Sequence, residues 1–399
     1  MLNKNNFSLN SKKYYQNLKK AEKIFKILRF DLKNFKIPLL ESYGKNYHFD
    51  FSEETVKKFS KYKNIFVIGM GGSILGTKSI YSFFKNKVKK KVFFFDNLDQ
   101  KLLFQFDGFK NLKNSCFIII SKSGNTLETI TNLSFICSKA LPKNKFIFIT
   151  ELKDNALSEL AYKFGAEIIE HRSFIGGRYS VLSETGMFPA ALMGLDIRKF
   201  GNLNKLIKDK KFVSSLIQNV ASIYTFNLQG IRNSVILNYD SNLNDLGYWY
   251  QQLVAESLGK KGKGINPILS TAPKDHHSLL QLYLDGPRDK FFTFFSSAKP
   301  KKKHKVAKRI IPNKMKFLKN KSIHSVINAQ SAAVKYVFKS RNIPFRNFVF
   351  NKESEEELGK VFTFFVLETI LLARLMNVNP FDEPAVEKIK IETRKILSR

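Results

Sequence analysis

Five short apolar runs, Asn64-Ile-Phe-Val-Ile68, Lys91-Val-Phe-Phe-Phe95, Cys116-Phe-Ile-Ile-Ile120, Lys145-Phe-Ile-Phe-Ile149 and Ala166-Glu-Ile-Ile169, follow one another with helical stretches or turns between them. An uninterrupted apolar run of this length suits a strand covered on both faces, and the intervening stretches suit crossover helices. The pattern predicts a doubly wound, mostly parallel α/β sheet. A second series, Ser234–Tyr239, Ile265–Leu269, Lys290–Phe295 and Pro344–Val349, predicts a second sheet of the same kind. At 399 residues the chain exceeds the usual size of one core. We therefore expect a helical, peripheral N-terminal segment over 1–45, α/β domains over 46–195 and 196–376, and a helical tail over 377–399. The two domains would join across about residues 195–220. Ser354 reads as the N-cap of the helix that follows, with Glu357 as its capping-box partner.

Strand-to-helix loops of such sheets are where ligands bind, and two of them are unusual. Gly69-Met-Gly-Gly-Ser73 follows the first strand, but Ile74 stands where a dinucleotide fingerprint has its third glycine, and no Walker lysine follows. It reads either as a tight packing turn or as a loop that lets a ligand approach the backbone. Ser121-Lys-Ser-Gly-Asn-Thr126 lies between the third strand and a helix expected over Leu127–Leu141. Its hydroxyls and N–H groups converge on a helix N-terminus, as a phosphate cradle requires; an ordinary N-cap with turn residues is the alternative. Gly176-Gly-Arg-Tyr-Ser180 offers a guanidinium beside paired glycines, suited to an oxyanion or to a structural ion pair. His277 is expected to open a helix behind Asp275 as N-cap, and its neighbour His276 leaves open which imidazole faces a site. Glu256 is a carboxylate just before a glycine-lysine turn.

The 68 Lys and Arg against 33 Asp and Glu give a net charge of +35, which raises the question of a polyanion partner. The lysines are spread along the chain and no reader motif accompanies them, so no specific nucleic-acid partner is expected. The most biased segment, Lys299–Arg309, falls between a strand and a helix and reads as a solvated loop. Cys116 and Cys137 show neither disulfide nor zinc-ligand spacing, and the His276-His277 pair has no ligand spacing either, so no metal is expected. The first residues lack the apolar core of a secretory signal, and the run Val361–Met376 is broken by Glu368 and Arg374. A cytoplasmic protein without membrane spans is the expectation.

Taken in order, the glycine loop, the Ser/Thr loop, the Gly-Gly-Arg segment, Glu256 and His277-Ser-Leu-Leu-Gln281 resemble the glucose-6-phosphate isomerase family over residues 64 to 390. The resemblance implies two phosphosugar-isomerase (SIS-type) domains and interconversion of glucose 6-phosphate and fructose 6-phosphate without a cofactor. It implies that Glu256 moves a proton between C2 and C1 through a cis-enediolate, that Arg178 stabilises the enediolate charge, and that His277 opens the sugar ring with Lys390 assisting. Gly72, Ser73, Ser121, Lys122, Ser123 and Thr126 would hold the phosphate, while Glu128 and Gln252 border the sugar. A homodimer is implied, with His277 contributed across the interface. An isomerase that also takes mannose 6-phosphate, or a phosphosugar-binding protein that has lost the reaction, are the competing readings.

Two departures from the family pattern stand out. Glu383 replaces a glutamine in Phe381-Asp-Glu383, and Ile389 precedes Lys390 where glycine is common. Glu383 is expected to turn away from the phosphate or to be offset by lysines.

Overall fold

A computed structural model of the chain describes residues 2–5, 11–109, 112–138, 145–298 and 304–399. Two five-stranded sheets organise it. The first contains β2 (Asn64–Gly69), β3 (Lys91–Phe95), β4 (Ser115–Ile120), β5 (Phe146–Thr150) and β6 (Glu167–Glu170), all parallel, in the order β3-β2-β4-β5-β6. The second orders β1 (Leu2–Asn5), β10 (Phe345–Phe350), β9 (Lys290–Ser297), β7 (Asn233–Asn238) and β8 (Asn266–Thr271) as β1-β10-β9-β7-β8. Among the described strands only β1 runs antiparallel, against β10. The mostly parallel, doubly wound architecture is the one the apolar runs imply.

Phenylalanine fills the first sheet in register. Phe66 stacks on Phe93 at 4.8 Å and on Phe117 at 5.0 Å, and Phe117 stacks on Phe146 at 4.9 Å. Each pair is directly opposed across neighbouring strands, so one aromatic row ties β3, β2, β4 and β5 together. A single apolar cluster then runs from Ile65 and Ile118 of the first sheet to Phe291 and Phe348 of the second, through the helices between them.

Contrary to expectation, the N-terminal segment is neither peripheral nor wholly helical. Besides contributing β1, it forms the helix Lys12–Lys33, which buries Ala21, Phe25 and Leu28. Asn17 donates to the buried Thr225 hydroxyl at 2.9 Å, and Asp31 pairs with Arg374 at 2.7 Å, fixing this helix against Lys210–Leu228 and Glu355–Met376. Residues 195–220, read as a junction, include the start of that long central helix. Glu368 of the helix Glu355–Met376 and Arg346 of β10 form a fully buried bidentate pair, completed by Thr293 and Asn219. Ser354 caps the helix as read, but the Glu357 carboxylate turns to the N–H groups of Asn351 and Lys352 instead of closing a reciprocal box. No helix among the described residues is long and apolar enough to cross a membrane.

Candidate active site

In both sheets the chain reverses its winding at a central strand. β2 lies between β3 and β4, so the loops after β2 and β4 open side by side at the carboxyl edge, with Gly69 opposite Ile120. β7 lies between β8 and β9, and the helix that follows it, Asn244–Leu258, packs on the first sheet's helix Gly72–Phe83. The sequence places a site-forming segment at each of these points.

The glycine loop is a close-contact loop. Gly71, at φ +53°, leaves the space taken by Gln252: a Cβ there would lie 2.8 Å from its Nε2. A Cβ on Gly72 would overlap the Gly177 carbonyl, 2.1 Å from its carbon. Ser73, in the first turn beyond, is nearly buried. Beside it the Ser121 and Thr126 hydroxyls hydrogen-bond each other at 2.7 Å, while Ser123 accepts from the Asn125 N–H at 3.3 Å. The Thr126 side chain makes no capping bond to its helix, Leu127–Cys137, which ends before the expected Leu141; residues 139–144 lie outside the described residues. Lys122 reaches the Ser173 carbonyl at 2.6 Å and Glu151 at 3.8 Å. Burial lowers its pKa, opposed by the Glu151 and Glu383 charges.

Arg178, in the short helical turn Gly177–Leu182, is the hub. Its Nε donates to Ser257 Oγ at 3.0 Å, and its Nη1 lies 3.3 Å from Glu256 Oε1 and 2.7 Å from Glu383 Oε2. Burial works against the charge, but Tyr179 and the two carboxylates outweigh it and raise the pKa, so the guanidinium stays a cation. The expectation for Glu383 is corrected in part: it does not turn away but faces the site and pairs with Arg178, while Lys122 and Lys260 also feel its charge. Glu256 and Gln252, four residues apart on the helix Asn244–Leu258, share one face. Glu256 Oε2 and Gln252 Oε1 are buried acceptors with no hydrogen-bond partner among the described residues, a costly state for a folded chain unless a ligand completes it.

Two sequence-named groups stand apart. His277 ends a single 3-10 turn, Lys274–His276, and is exposed. The α-helix starts only at Leu280, because the Asp275 carboxylate is drawn back to the end of β8, accepting from Thr271 N–H at 2.6 Å and Ser270 at 3.1 Å. Neither His276, bonded to Tyr239 at 2.7 Å, nor His277 meets Glu256 among the described contacts. Lys390 lies on the exposed tail helix Glu387–Leu397, paired with Glu387 at 3.2 Å, and with Ser123, Thr126 and Glu128 it lines a cleft of about 640 Å³. Of the basic segment, 299–303 lie outside the described residues, and Lys308–Ile310 is an exposed turn. Two further clefts, of about 500 and 490 Å³, flank Tyr47 and His48 but contain none of the converging groups. Cys116 is buried, which pushes its thiol up to about 12, so it is not a nucleophile.

Sequence reasoning missed Ser257, Tyr179, Lys260 and the tail carbonyls. Ser257 bridges Arg178 and the Tyr179 hydroxyl, while Tyr179 donates to Pro380 O at 2.9 Å and Lys260 to Asn379 O at 2.5 Å. The one signal for Ser257 was its place next to Glu256.

The arrangement offers a carboxylate with one free oxygen, an adjoining permanent cation and a hydroxyl-lined loop at a helix start. A family model described as phosphoglucose isomerase matches residues 50–399. The glucose-6-phosphate isomerase of Methanocaldococcus jannaschii is 32% identical over 352 residues, 86% of each chain. That of Mycoplasmopsis pulmonis is 32% identical over 385 residues, 90% of this chain and 89% of the relative. Among solved structures, a hypothetical protein of Thermus thermophilus superposes with a TM-score of 0.83 at 21% identity, covering 97% of both chains. A glucose-6-phosphate isomerase from Chlamydia trachomatis gives 0.72 at 19%, covering 86% of this chain and 72% of that one. The structural likenesses carry the fold alone; with the sequence matches spanning nearly all of the chain, it belongs to the phosphoglucose isomerase family.

Proposed function

We propose that this protein interconverts glucose 6-phosphate and fructose 6-phosphate. The observation that carries the reading is the Glu256–Arg178 pair at 3.3 Å, with the second Glu256 oxygen buried and unpartnered among the described residues. The free oxygen of Glu256 removes the proton from sugar C2. The electron pair moves into a C1–C2 double bond as the carbonyl oxygen becomes an enediolate oxygen. The C2 hydroxyl passes its proton to the C1 oxygen, which moves the negative charge to the C2 oxygen; as the C2 carbonyl forms, Glu256, now a carboxylic acid, returns the same proton to C1, and the aldose has become the ketose. Arg178 supplies fixed positive charge beside the developing oxyanion, where a preorganised donor is most effective. Ser73, Ser121, Lys122, Ser123 and Thr126, with the backbone at Gly72, hold the phosphate; Gln252 and Glu128 border the sugar.

Ring opening precedes this step and needs its own acid–base pair. His277, exposed and away from Glu256 within one chain, is assigned that role from a second copy in a homodimer, with Lys390 assisting at the ring oxygen. A cytoplasmic setting accords with sugar-phosphate substrates and with two free cysteines.

Glu256→Gln preserves shape and removes the base. Turnover of fructose 6-phosphate to glucose 6-phosphate should fall about 10²- to 10⁴-fold while binding of a sugar phosphate persists. A variant with near-normal turnover would show that Glu256 is not the base. Mannose 6-phosphate, tested in parallel, defines the substrate range.

A further inference from the structure

A guanidinium has five N–H donors, and in Arg178 four of them hydrogen-bond to the protein, while the fifth faces the carboxylate of Glu256. Nε serves Ser257 Oγ at 3.0 Å; Nη1 serves Glu383 Oε2 at 2.7 Å and lies 3.3 Å from Glu256 Oε1 as an ion pair; Nη2 serves the carbonyls of Pro380 at 2.7 Å and Asp382 at 3.0 Å. Two carboxylates already share the charge of Arg178, so an arriving anion competes with them for it.

The partners differ in what yielding costs. The Pro380 carbonyl and Ser257 belong to a packed network that also includes the buried Tyr179 hydroxyl, so breaking it strands polar groups, and the Asp382 carbonyl is backbone that moves only with the chain. Glu256 adjoins Arg178 as the proposed base and must stay. Glu383 alone can leave cheaply: its side chain is 44% exposed, against 28% for Glu256 and 2% for Arg178, so its carboxylate can rotate into water. It is also an anion whose field reaches Lys122 in the Ser/Thr loop and Lys260 at the foot of the tail. While it stays, it weakens the positive potential that a phosphate would meet.

We propose that Glu383 is an internal anion that occupies Arg178 in the free protein and is displaced by the incoming sugar phosphate. It thereby sets the affinity of the site. This rests on the function proposed above, in which Arg178 receives a substrate oxygen. Displacement moves no covalent bond: the carboxylate exchanges the guanidinium for water, and a substrate oxygen takes the vacated Nη1 donor. Because the carboxylate competes with substrate before and through the reaction step alike, its removal acts on KM and leaves kcat nearly unchanged.

The test uses the full chain and Glu383→Gln, with Glu383→Ala as a second variant that removes the side chain altogether. Two quantities are read: steady-state kcat and KM on fructose 6-phosphate, and the calorimetric Kd of 1,5-anhydroglucitol 6-phosphate. The latter lacks the anomeric hydroxyl and cannot isomerise. Exchanging a charge-assisted bond for a neutral one at this half-exposed pair should lower KM and Kd about tenfold, with kcat within about twofold. Unchanged or weaker binding in folded variants overturns the proposal. If the wild-type chain binds the anhydro sugar phosphate but does not turn over fructose 6-phosphate, the isomerase reading fails while the Kd comparison still decides the displacement. Failure of every chain to bind the probe overturns both.

Discussion

Replacing Gly72 by alanine adds one methyl group at the tightest point of the site. Its Cβ would lie 2.1 Å from the carbon and 2.2 Å from the oxygen of the Gly177 carbonyl, and 2.6 Å from the Arg178 nitrogen. Ordinary contact begins near 3.4 Å, and all three atoms are backbone, so the two loops must separate by more than an ångström. The Arg178 backbone moves with them, and Arg178 meets Glu256 at only 3.3 Å. Overpacking of this kind costs about 1–3 kcal/mol, and a displacement of about 1 Å at reacting groups lowers activity on the order of 10²-fold. The assay is kcat/KM on fructose 6-phosphate, with urea denaturation to establish how much of the chain is folded. Gly177→Ala is the control, because its Cβ would meet only Gly72 Cα at an ordinary 3.8 Å and should leave activity near wild type. A folded Gly72→Ala chain with wild-type kcat/KM refutes the reasoning, since Arg178 would then not depend on that contact.

Two further outcomes concern stability. Arg346→Met leaves Glu368 as an unpaired buried carboxylate and should cost about 3–5 kcal/mol in urea denaturation, most of it recovered when Glu368→Leu is added. His171 is buried, and burial pushes its pKa from 6.5 down to about 4. Since the unfolded chain then binds the proton more tightly than the folded one, stability falls as pH drops through the window from 6.5 to about 4. Between pH 7 and pH 4.5 the wild type should lose about 2 kcal/mol more than His171→Leu; equal losses would mean that His171 is not held neutral.

The central strands were legible because a parallel strand covered on both faces is apolar along most of its length, and β2, β4, β5, β7 and β9 carry that mark, whereas the edge strand β8 and β10, interrupted by Arg346 and Asn347, carry it only in part. β1 was not, since Leu2-Asn-Lys-Asn5 has no such run; it is an edge strand whose partner, β10, lies far along the chain. The loop after β4 was legible for a similar reason, its hydroxyls and glycine being consecutive. The helix behind His277 was misread because Asp275 has two local uses, and the one chosen, at Ser270 and Thr271, depends on where β8 ends.

By itself, then, the sequence determined the type of sheet, the loops at its carboxyl edge and the identity of the polar groups they carry, because periodicity and strand-to-helix order are local properties of a few residues. Only the tertiary structure decided that Arg178 lies against Glu256, that Glu383 returns from the tail to share it, and that Lys12–Lys33 is built into the core. Those outcomes join segments far apart in the chain: Arg178 and Glu383 are separated by 205 residues, Asn17 and Thr225 by 208, and Asp31 and Arg374 by 343. They depend on which surfaces meet once the sheets have packed, and no window of consecutive residues contains that information.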